Sequence, residues 1–281
     1  MKKILVPCDF SATAKEAFKF ALNIAEKNKS EIYVLYVVDS SSIAAPTAEL
    51  SPVAAFNDVF MQKLEEQLNE KFFDMKREYP PTNSTVTFKI DIGSLIQTIA
   101  LHIQDKKIDL VVMGTHGASG LKEFFVGSNT EKIVRYSKVP VVAVPLGSQF
   151  DSIQDMVFPV VPSQHAASFI HEVKSIQNFF QAKLHLLWIN TPHIFKSDSE
   201  AAEDLQEFAE QHHFHDYKLN VRSDHSEQEG ILHFAREIKA GLIFMPTHSR
   251  KGLIHWFTGS ITENVVNHVQ CPVWTYSIKH E

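Results

Sequence analysis

Residues 109–130 read DLVVMGTHGASGLKEFFVGSNT. The apolar run at 110–113 predicts a buried strand, and the polar residues from Ser128 onward predict the first turn of a helix. Between them lie several glycines, which lack a Cβ and adopt positive φ without strain. Backbone N–H groups in such a loop can approach a phosphate closely, and a helix N-terminus favours an anion. The stretch therefore predicts a phosphate-binding turn between a strand and a helix.

The same pattern recurs near the C-terminus. Residues 242–249 (LIFMPTHS) repeat residues 110–117 (LVVMGTHG), and a Gly-Ser pair follows both runs at the same spacing. The starts of the two halves also match, and self-similarity on this scale indicates two copies of one domain. In the second copy, Pro246 and Ser249 replace the first two glycines of the loop.

Apolar and amphipathic segments alternate along both copies. The predicted strands are 3–8, 31–38, 85–92, 109–113 and 139–144, then 156–160, 184–189, 218–222, 242–245 and 272–276. The predicted helices are 11–27, one through the stripe from Phe56 to Phe72, 95–104 and 128–136, then 166–180, 200–212, 228–239 and 260–268. This order predicts an α/β fold with parallel sheets covered on both faces. We assign residues 1–146 to the first domain, 147–155 to a linker and 156–281 to the second domain.

Composition excludes several classes of protein. The 281 residues are 44% hydrophobic and 21% charged, which is typical of globular domains. A net charge of -6 argues against a general nucleic-acid binder. No apolar run is long enough to span a bilayer, and the N-terminus forms no secretory segment, so we expect a cytoplasmic protein without membrane contact. Cys8 and Cys271 are expected to be buried thiols rather than a disulfide.

The chain resembles the universal stress protein family in a tandem, two-domain form. The family's signature is Gly, two residues, Gly, nine residues, then Gly followed by Ser or Thr. Gly114, Gly117, Gly127 and Ser128 match it without departure. The resemblance implies two doubly wound domains, each with a five-stranded, mostly parallel sheet, as in the adenine nucleotide alpha hydrolases. It also implies that ATP lies in the crevice between strands one and four.

Carried over to this sequence, the resemblance gives a set of binding residues: Gly114, Gly117, Gly127 and Ser128 at the ribose and phosphates, followed by Asn129 and Thr130; Asp9, Val37 and Met113 near the adenine; and Pro7 holding the strand end. An aspartate repels a triphosphate at short range, so Asp9 suits the adenine amino group or a sugar hydroxyl. Two alternatives stay open. Asp9 is also a common turn residue, and Met113 also fits a plain core position.

The second copy is predicted not to bind ATP in the family's manner. Pro246 lacks an N–H and has a fixed φ, so it cannot replace a glycine of the phosphate loop. Ser249 adds a Cβ, and Val161 stands where the first copy has Asp9. We therefore expect one nucleotide per chain, bound in the first domain.

These residues favour a nucleotide-binding regulatory protein of the stress response, with no catalytic residue assigned. An enzyme that hydrolyses or transfers from ATP is one alternative, and a pair of non-binding scaffold domains is another. ATP, ADP, AMP or a cyclic nucleotide fits the loop, and Mg²⁺ could accompany it. The family commonly pairs domains through their last strands, which implies an internal pseudo-dimer here. Further homodimerisation, the protein partner and the stress itself are left open.

Histidines and aromatic residues offer further hypotheses. The cluster His212, His213 and His215 invites a metal site, but zinc needs further ligands, and a solvated helix end is favoured. The stripe from Phe56 to Phe72 is interpreted as core, with a partner surface as the alternative. The tryptophans are interpreted as core or interface: Trp188, Trp256 and Trp274.

Overall fold

The computed structural model describes residues 1–39, 53–115, 128–160, 167–193, 195–247 and 259–277. The strands are β1 (Lys3–Pro7), β2 (Glu31–Val38), β3 (Val86–Ile92), β4 (Leu110–Gly114), β5 (Val141–Val144), β6 (Asp155–Pro159), β7 (Lys183–Asn190), β8 (Tyr217–Ser223), β9 (Leu242–Thr247) and β10 (Val273–Ser277). The helices are α1 (Ala12–Asn28), α2 (Val53–Glu78), α3 (Leu95–Lys106), α4 (Ser128–Tyr136), α5 (Ala167–Phe180), α6 (Asp198–Gln211), α7 (Glu227–Glu237) and α8 (Gly259–His268). The predicted α/β alternation is confirmed.

The strands form one ten-stranded sheet in the order β3-β2-β1-β4-β5-β10-β9-β6-β7-β8. Within each half every neighbouring pair is parallel, with β1 between β2 and β4 in the first half and β6 between β7 and β9 in the second. The central strands read as continuous apolar runs because helices cover both faces of the sheet. The predicted pair of doubly wound, five-stranded units is confirmed.

The two halves join through their last strands. β5 and β10 pair antiparallel, with Val142 opposite Trp274. The Thr275 hydroxyl adds a hydrogen bond to the Val141 carbonyl at 2.9 Å. Each last strand thus covers the edge that the other would expose. An antiparallel pairing of equivalent strands relates the halves by a rough two-fold axis, which is the expected internal pseudo-dimer.

The segment predicted as a linker is partly built into the core. Its short 3-10 turn, Phe150–Ser152, places the Phe150 ring 5.1 Å from Phe20 of the first half and 5.3 Å from Phe180 of the second. Phe150 is only 6% exposed. The linker therefore contributes a side chain that packs against both halves.

Helix α2 corrects one prediction about the core. Leu68 and Phe72 are buried as expected, and Phe72 stacks on Phe88 of β3 with ring centroids 4.6 Å apart. Phe60 is 50% exposed, so the interpretation of the whole stripe as core is wrong at that position. At 3.6 residues per turn, the 12 residues from Phe60 to Phe72 make about 120° more than three full turns, so the two rings lie on different sides of α2. Among the helices that the structure describes, none is both long and apolar enough to cross a membrane.

Candidate functional site

The candidate site lies at the carboxyl ends of β1 and β4. β1 pairs with β2 on one side and with β4 on the other, so the strand order reverses at this point. The register places Leu5 opposite Val111, and its continuation brings Pro7 level with Met113. Doubly wound sheets bind ligands outside the carboxyl ends of the strands at such a switch point. The fold therefore brings together the two strand ends that the sequence singled out.

The end of β1 turns directly into α1. Pro7 is buried, and the N–H of Cys8 donates to a β2 carbonyl at 2.9 Å. The exposed Asp9 accepts a hydrogen bond at Oδ1 from the N–H of Ser11 at 3.0 Å. The Ser11 hydroxyl oxygen accepts a hydrogen bond from the Ala14 N–H, so Ser11 is the N-cap of α1. Asp9 thus forms the turn, one of its two proposed roles, while its carboxylate stays at the exposed edge of the sheet.

The end of β4 is a glycine for a packing reason. A Cβ on Gly114 would lie 2.7 Å from both the carbonyl carbon and the oxygen of Thr13, at the start of α1. Contacts this short do not occur between real side chains and backbone, so any larger residue would displace α1 from β4. The sequence analysis gave Gly114 a role in phosphate approach. The structure adds that the packing of α1 against β4 requires glycine here.

Helix α4 starts beside the same strand end. The buried Thr130 donates its hydroxyl to the Gly114 carbonyl at 2.9 Å, which holds the first turn of α4 against the end of β4. Asn129 is exposed in the same turn. The first N–H groups of a helix have no intrahelical partner and carry the positive end of its dipole. The N-terminus of α4 therefore creates a positive potential at the switch point.

The two apolar residues predicted near the adenine differ in exposure. Met113 is 5% exposed and belongs to an apolar cluster with Leu5 and Ile133, so the alternative of a plain core residue describes its packing. Val37 is half-buried near the carboxyl end of β2 and packs against the same cluster. Of the pair, Val37 has more surface available to a ligand.

Comparison with known proteins identifies the family. The model of the universal stress protein family matches residues 1–145 and again residues 154–277. The chain belongs to the universal stress protein family. Two universal stress proteins of Methanocaldococcus jannaschii are each 32% identical to it: one over 152 residues, 51% of this chain and 94% of that protein, and the other over 143 residues, 51% and 81%. A universal stress protein structure from Archaeoglobus fulgidus covers 98% of both chains with a TM-score of 0.70 at 22% identity, which shows the same fold.

Part of the family signature lies outside the described residues. This applies to Gly117, Gly127 and the side chain of Ser128. The described ends of the loop are Thr115 and the backbone at the start of α4. The structure thus places both anchors of the signature at the switch point, and the predicted contacts of the loop itself stay predictions.

Both thiols of this universal stress protein are free cysteines, as expected. Burial raises the pKa of the Cys8 thiol to about 12 and that of Cys271 to about 12. The Cys8 sulfur lies 3.9 Å from the sulfur of Met75 on α2. A thiol with so high a pKa is not a nucleophile at neutral pH, so Cys8 serves packing although it is next to Asp9.

The second half keeps the scaffold of the site. The N–H of Val160 donates to the Leu187 carbonyl at 2.8 Å, just as Cys8 donates to β2. The buried Thr262 donates its hydroxyl to the Pro246 carbonyl at 2.8 Å, which repeats the contact of Thr130. Pro246 lies in β9, where the first half has its glycine. The other two substitutions, Val161 and Ser249, lie outside the described residues.

The two halves differ in the residue at the carboxyl end of the second strand of each half, which is Asn190 in β7. Asn190 is 1% exposed, and its Oδ1 accepts from the Trp188 indole at 2.8 Å and from the Lys196 N–H at 3.3 Å. Its Nδ2 donates to the Lys196 carbonyl at 3.0 Å. The register of β1 with β2 and of β6 with β7 makes Val38 the equivalent residue in the first half. In the second half, a buried amide therefore ties the chain after β7 back to the edge of the sheet.

An interdomain contact was missed by the sequence analysis. Arg135 of α4 donates to Glu263 of α8 through two of its guanidinium nitrogens, with Nε to Oε1 at 2.5 Å and Nη2 to Oε2 at 2.7 Å. The repeat could have predicted a contact between these helices. Glu131 and Glu263 occupy equivalent positions in it, and the expected two-fold axis brings equivalent residues together. The contact ties the helix of the candidate site to the second half.

The histidines near the end of α6 and two of the tryptophans pack or form hydrogen bonds within the fold. His212 packs edge-on against Phe208 with ring centroids 4.6 Å apart, and His215 is 3.0 Å from the Asn178 amide oxygen. Within the described residues, no group of three or more His, Cys, Asp or Glu side chains is arranged to hold a metal ion. Trp188 and Trp274 are buried, as expected of core positions, and Trp256 lies outside the described residues.

Proposed function

We propose that the first half binds one adenine nucleotide, ATP, at the carboxyl ends of β1 and β4, and that the protein regulates a stress response through this binding. The observation that carries the proposal is the N-terminus of α4, which the 2.9 Å contact of Thr130 holds at the switch point beside a strand that ends in Gly114, where the second half has Pro246. Such a helix end binds phosphate through its free N–H groups and its dipole. The intact family signature between Gly114 and Ser128 supports the same ligand.

The proposed roles follow the chemistry of each position. The phosphates lie against Gly117, Gly127 and the start of α4, with a Mg²⁺ ion carried by the phosphates themselves. Asp9, exposed at the end of β1, accepts from the adenine amino group or a ribose hydroxyl, since its charge repels phosphate. Val37 offers half-buried apolar surface to the base. Asn129 is an exposed donor in the first turn of α4.

In the same proposal the second half binds no ATP and acts as the fixed partner in an internal pseudo-dimer in the cytoplasm. Pro246 supplies no N–H at the strand end. Asn190 fixes the chain that follows β7. We further propose that ATP occupancy changes a surface that a protein partner recognises.

Calorimetric titration of the intact chain with Mg-ATP tests the proposal. The expected stoichiometry is one nucleotide per chain. Gly117→Ser copies the second half into the first and should weaken binding by at least about tenfold, or about 1.4 kcal/mol. The matched control, Ser249→Gly, should leave both affinity and stoichiometry unchanged. Two sites of equal affinity, or unchanged binding by Gly117→Ser, would contradict the proposal.

A variant at Asp9 separates ligand contact from turn formation. Asp9→Ser keeps a side-chain oxygen that can form the same turn with Ser11 but does not reach as far. We expect weaker ATP binding with little change in melting temperature. ADP formation under excess ATP, measured on the same samples, distinguishes regulation from turnover. Sustained release of ADP over many turnovers would replace the regulatory proposal with an enzymatic one.

A further inference from the structure

The turn between β1 and α1 has an unusual backbone conformation. Phe10, the residue after Asp9, has a φ of 62°, which lies in the left-handed region. Among the described residues, the other non-glycine positions with a positive φ all lie between a helix and the strand that follows it, where a left-handed residue commonly ends a helix. These positions are Lys29, Lys107, Gln181, His213, Asp216 and Lys239. Phe10 lies instead between a strand and the next helix, at the candidate site.

The packing of its ring holds Phe10 in this conformation. A left-handed backbone costs free energy in a residue that has a Cβ, and bulky side chains adopt it rarely. The Phe10 ring stacks on Tyr36 of β2, with centroids 5.8 Å apart, and meets Phe88 of β3 edge-on at 5.9 Å. Phe88 in turn stacks on Phe72 of α2 at 4.6 Å. Favourable aromatic contacts on two neighbouring strands therefore offset the strain in the turn.

The same turn determines the position of the Asp9 carboxylate. Asp9 Oδ1 accepts from the Ser11 N–H at 3.0 Å, so the carboxylate closes a turn around Phe10. A negative φ at Phe10, with the ring kept between its neighbours, would redirect the chain on both sides of it. The hydrogen bond would break, and the carboxylate would leave its place at the edge of the sheet. The anchored ring thus fixes the side chain that precedes it.

The second half has different residues at the equivalent positions. The register of its strands, continued past their ends, makes Pro162 the equivalent of Phe10 and Trp188 the equivalent of Tyr36. Pro162 lies outside the described residues, and the φ of any proline is fixed at about −65°. The Trp188 ring has the Lys196 ammonium 5.5 Å from its centroid. An aromatic residue that can adopt a left-handed turn therefore occurs only in the half with the candidate site.

We propose that Phe10 is a positioning residue, whose left-handed turn, anchored on Tyr36, presents the Asp9 carboxylate to the adenine amino group or a ribose hydroxyl of the nucleotide. The inference rests on the proposed function and adds the residue that prepares this contact before the ligand binds. A side chain that is already fixed in the free protein loses less freedom on binding, so the contact contributes more to affinity. Backbone strain that the surrounding packing maintains is typical of such sites.

A double-mutant cycle, followed by calorimetric titration with Mg-ATP, tests this. Phe10→Gly permits the same φ but removes the anchor, so the turn is no longer held in one conformation. We expect it to weaken ATP binding about three- to tenfold in the wild-type background, and less than about twofold once Asp9→Ser is present. A merely structural loss would be the same in both backgrounds. Phe10→Tyr, which keeps the ring, should restore affinity.

A matched control and a second variant complete the experiment. Lys29→Gly relieves a left-handed residue at the other end of α1 and should leave ATP affinity unchanged. If Phe10→Gly folds poorly, Tyr36→Leu removes the stacked ring without changing the turn itself, and it should weaken binding only when Asp9 is present. Wild-type binding of ATP with equal losses in both backgrounds, or with no loss, would overturn this inference alone. Failure of the wild type to bind ATP would overturn the proposed function as well.

Discussion

The two halves share the contact that fixes a helix to the end of a strand, and they differ in the residue at that end. Thr130 and Thr262 donate to the carbonyl of the equivalent residue at 2.9 and 2.8 Å. That residue is Gly114 in the first half and Pro246 in the second. The helix attachment therefore does not need a glycine. The threonines belong to the common scaffold, and the glycine belongs to what distinguishes the first half.

A second difference separates the strands next to these ends. The first half has Val38 where the second has Asn190, whose amide oxygen and nitrogen both form hydrogen bonds, to Trp188 and Lys196. A buried amide that is hydrogen-bonded at both its oxygen and its nitrogen favours one conformation of the connected chain. At the carboxyl edge of the sheet, the second half thus has hydrogen bonds from Asn190 that the first half lacks. The first half instead keeps the family's glycine signature at that edge.

The largest expected effect is a loss of stability on replacing Phe150, which lies in the segment between the two halves. Phe150→Ala should lower the free energy of unfolding by about 3–5 kcal/mol, because the ring is buried between Phe20 and Phe180. Chemical denaturation followed by circular dichroism measures it. Phe195→Ala is the control, since Phe195 is 73% exposed, and it should be nearly neutral. A small effect at Phe150 would mean that the halves are held together by β5 and β10 without the linker.

The next largest loss of stability is expected at the carboxyl end of β4, where Gly114 packs against α1. Gly114→Ala should cost about 1–3 kcal/mol, because the new Cβ would lie against the backbone of Thr13. The matched change, Pro246→Ala, should cost about 1 kcal/mol or less, mainly through the freedom that the unfolded chain regains. Thermal unfolding of both variants provides the comparison. Equal costs would show that α1 can shift away from β4, and that the glycine is not required by packing.

Replacing the buried Asn190 of the second half should lower stability by a similar or smaller amount. Asn190→Val inserts the residue found at position 38 and leaves the Trp188 indole without its acceptor, which should cost about 1–3 kcal/mol. Asn69→Ala, on the exposed face of α2, should change stability by no more than about 0.5 kcal/mol. Both are measured by urea unfolding. An unchanged midpoint for Asn190→Val would mean that the chain after β7 is not fixed by this residue.

The sequence was sufficient to predict the alternating strands and helices for a clear physical reason, whereas the doubly wound layout of the sheet came from the family resemblance. Strands buried on both faces, such as β4, read as uninterrupted apolar runs, and the repeat showed each strand twice. Helix α2 was harder, because a spacing of four residues drifts by about 40° per step around a straight helix. Phe60 therefore lies about 120° from Phe72, and it is 50% exposed while Phe72 stacks on Phe88 of β3.

The candidate site was predictable in position but not in its contacts. The ends of β1 and β4 follow from the strand order, and the glycine spacing pointed to Gly114. The reason that packing requires this glycine depends on the distance to Thr13, which no local pattern contains. The same holds for Arg135 and Glu263, which are 128 positions apart and meet only because the repeat folds back on itself.

The smallest expected effect tests the shared contact directly. Thr130→Val and Thr262→Val each remove one hydroxyl and nearly preserve the side-chain shape, so each should cost about 0.5–1.5 kcal/mol. Equal costs, measured by urea unfolding, would confirm that both threonines serve the scaffold. In an ATP titration, Thr130→Val should weaken binding only as far as it loosens α4, and Thr262→Val should leave binding unchanged. If Thr130→Val were neutral in stability yet strongly reduced ATP affinity, the threonine would contact the ligand. The difference between the halves would then extend to a residue that both of them keep.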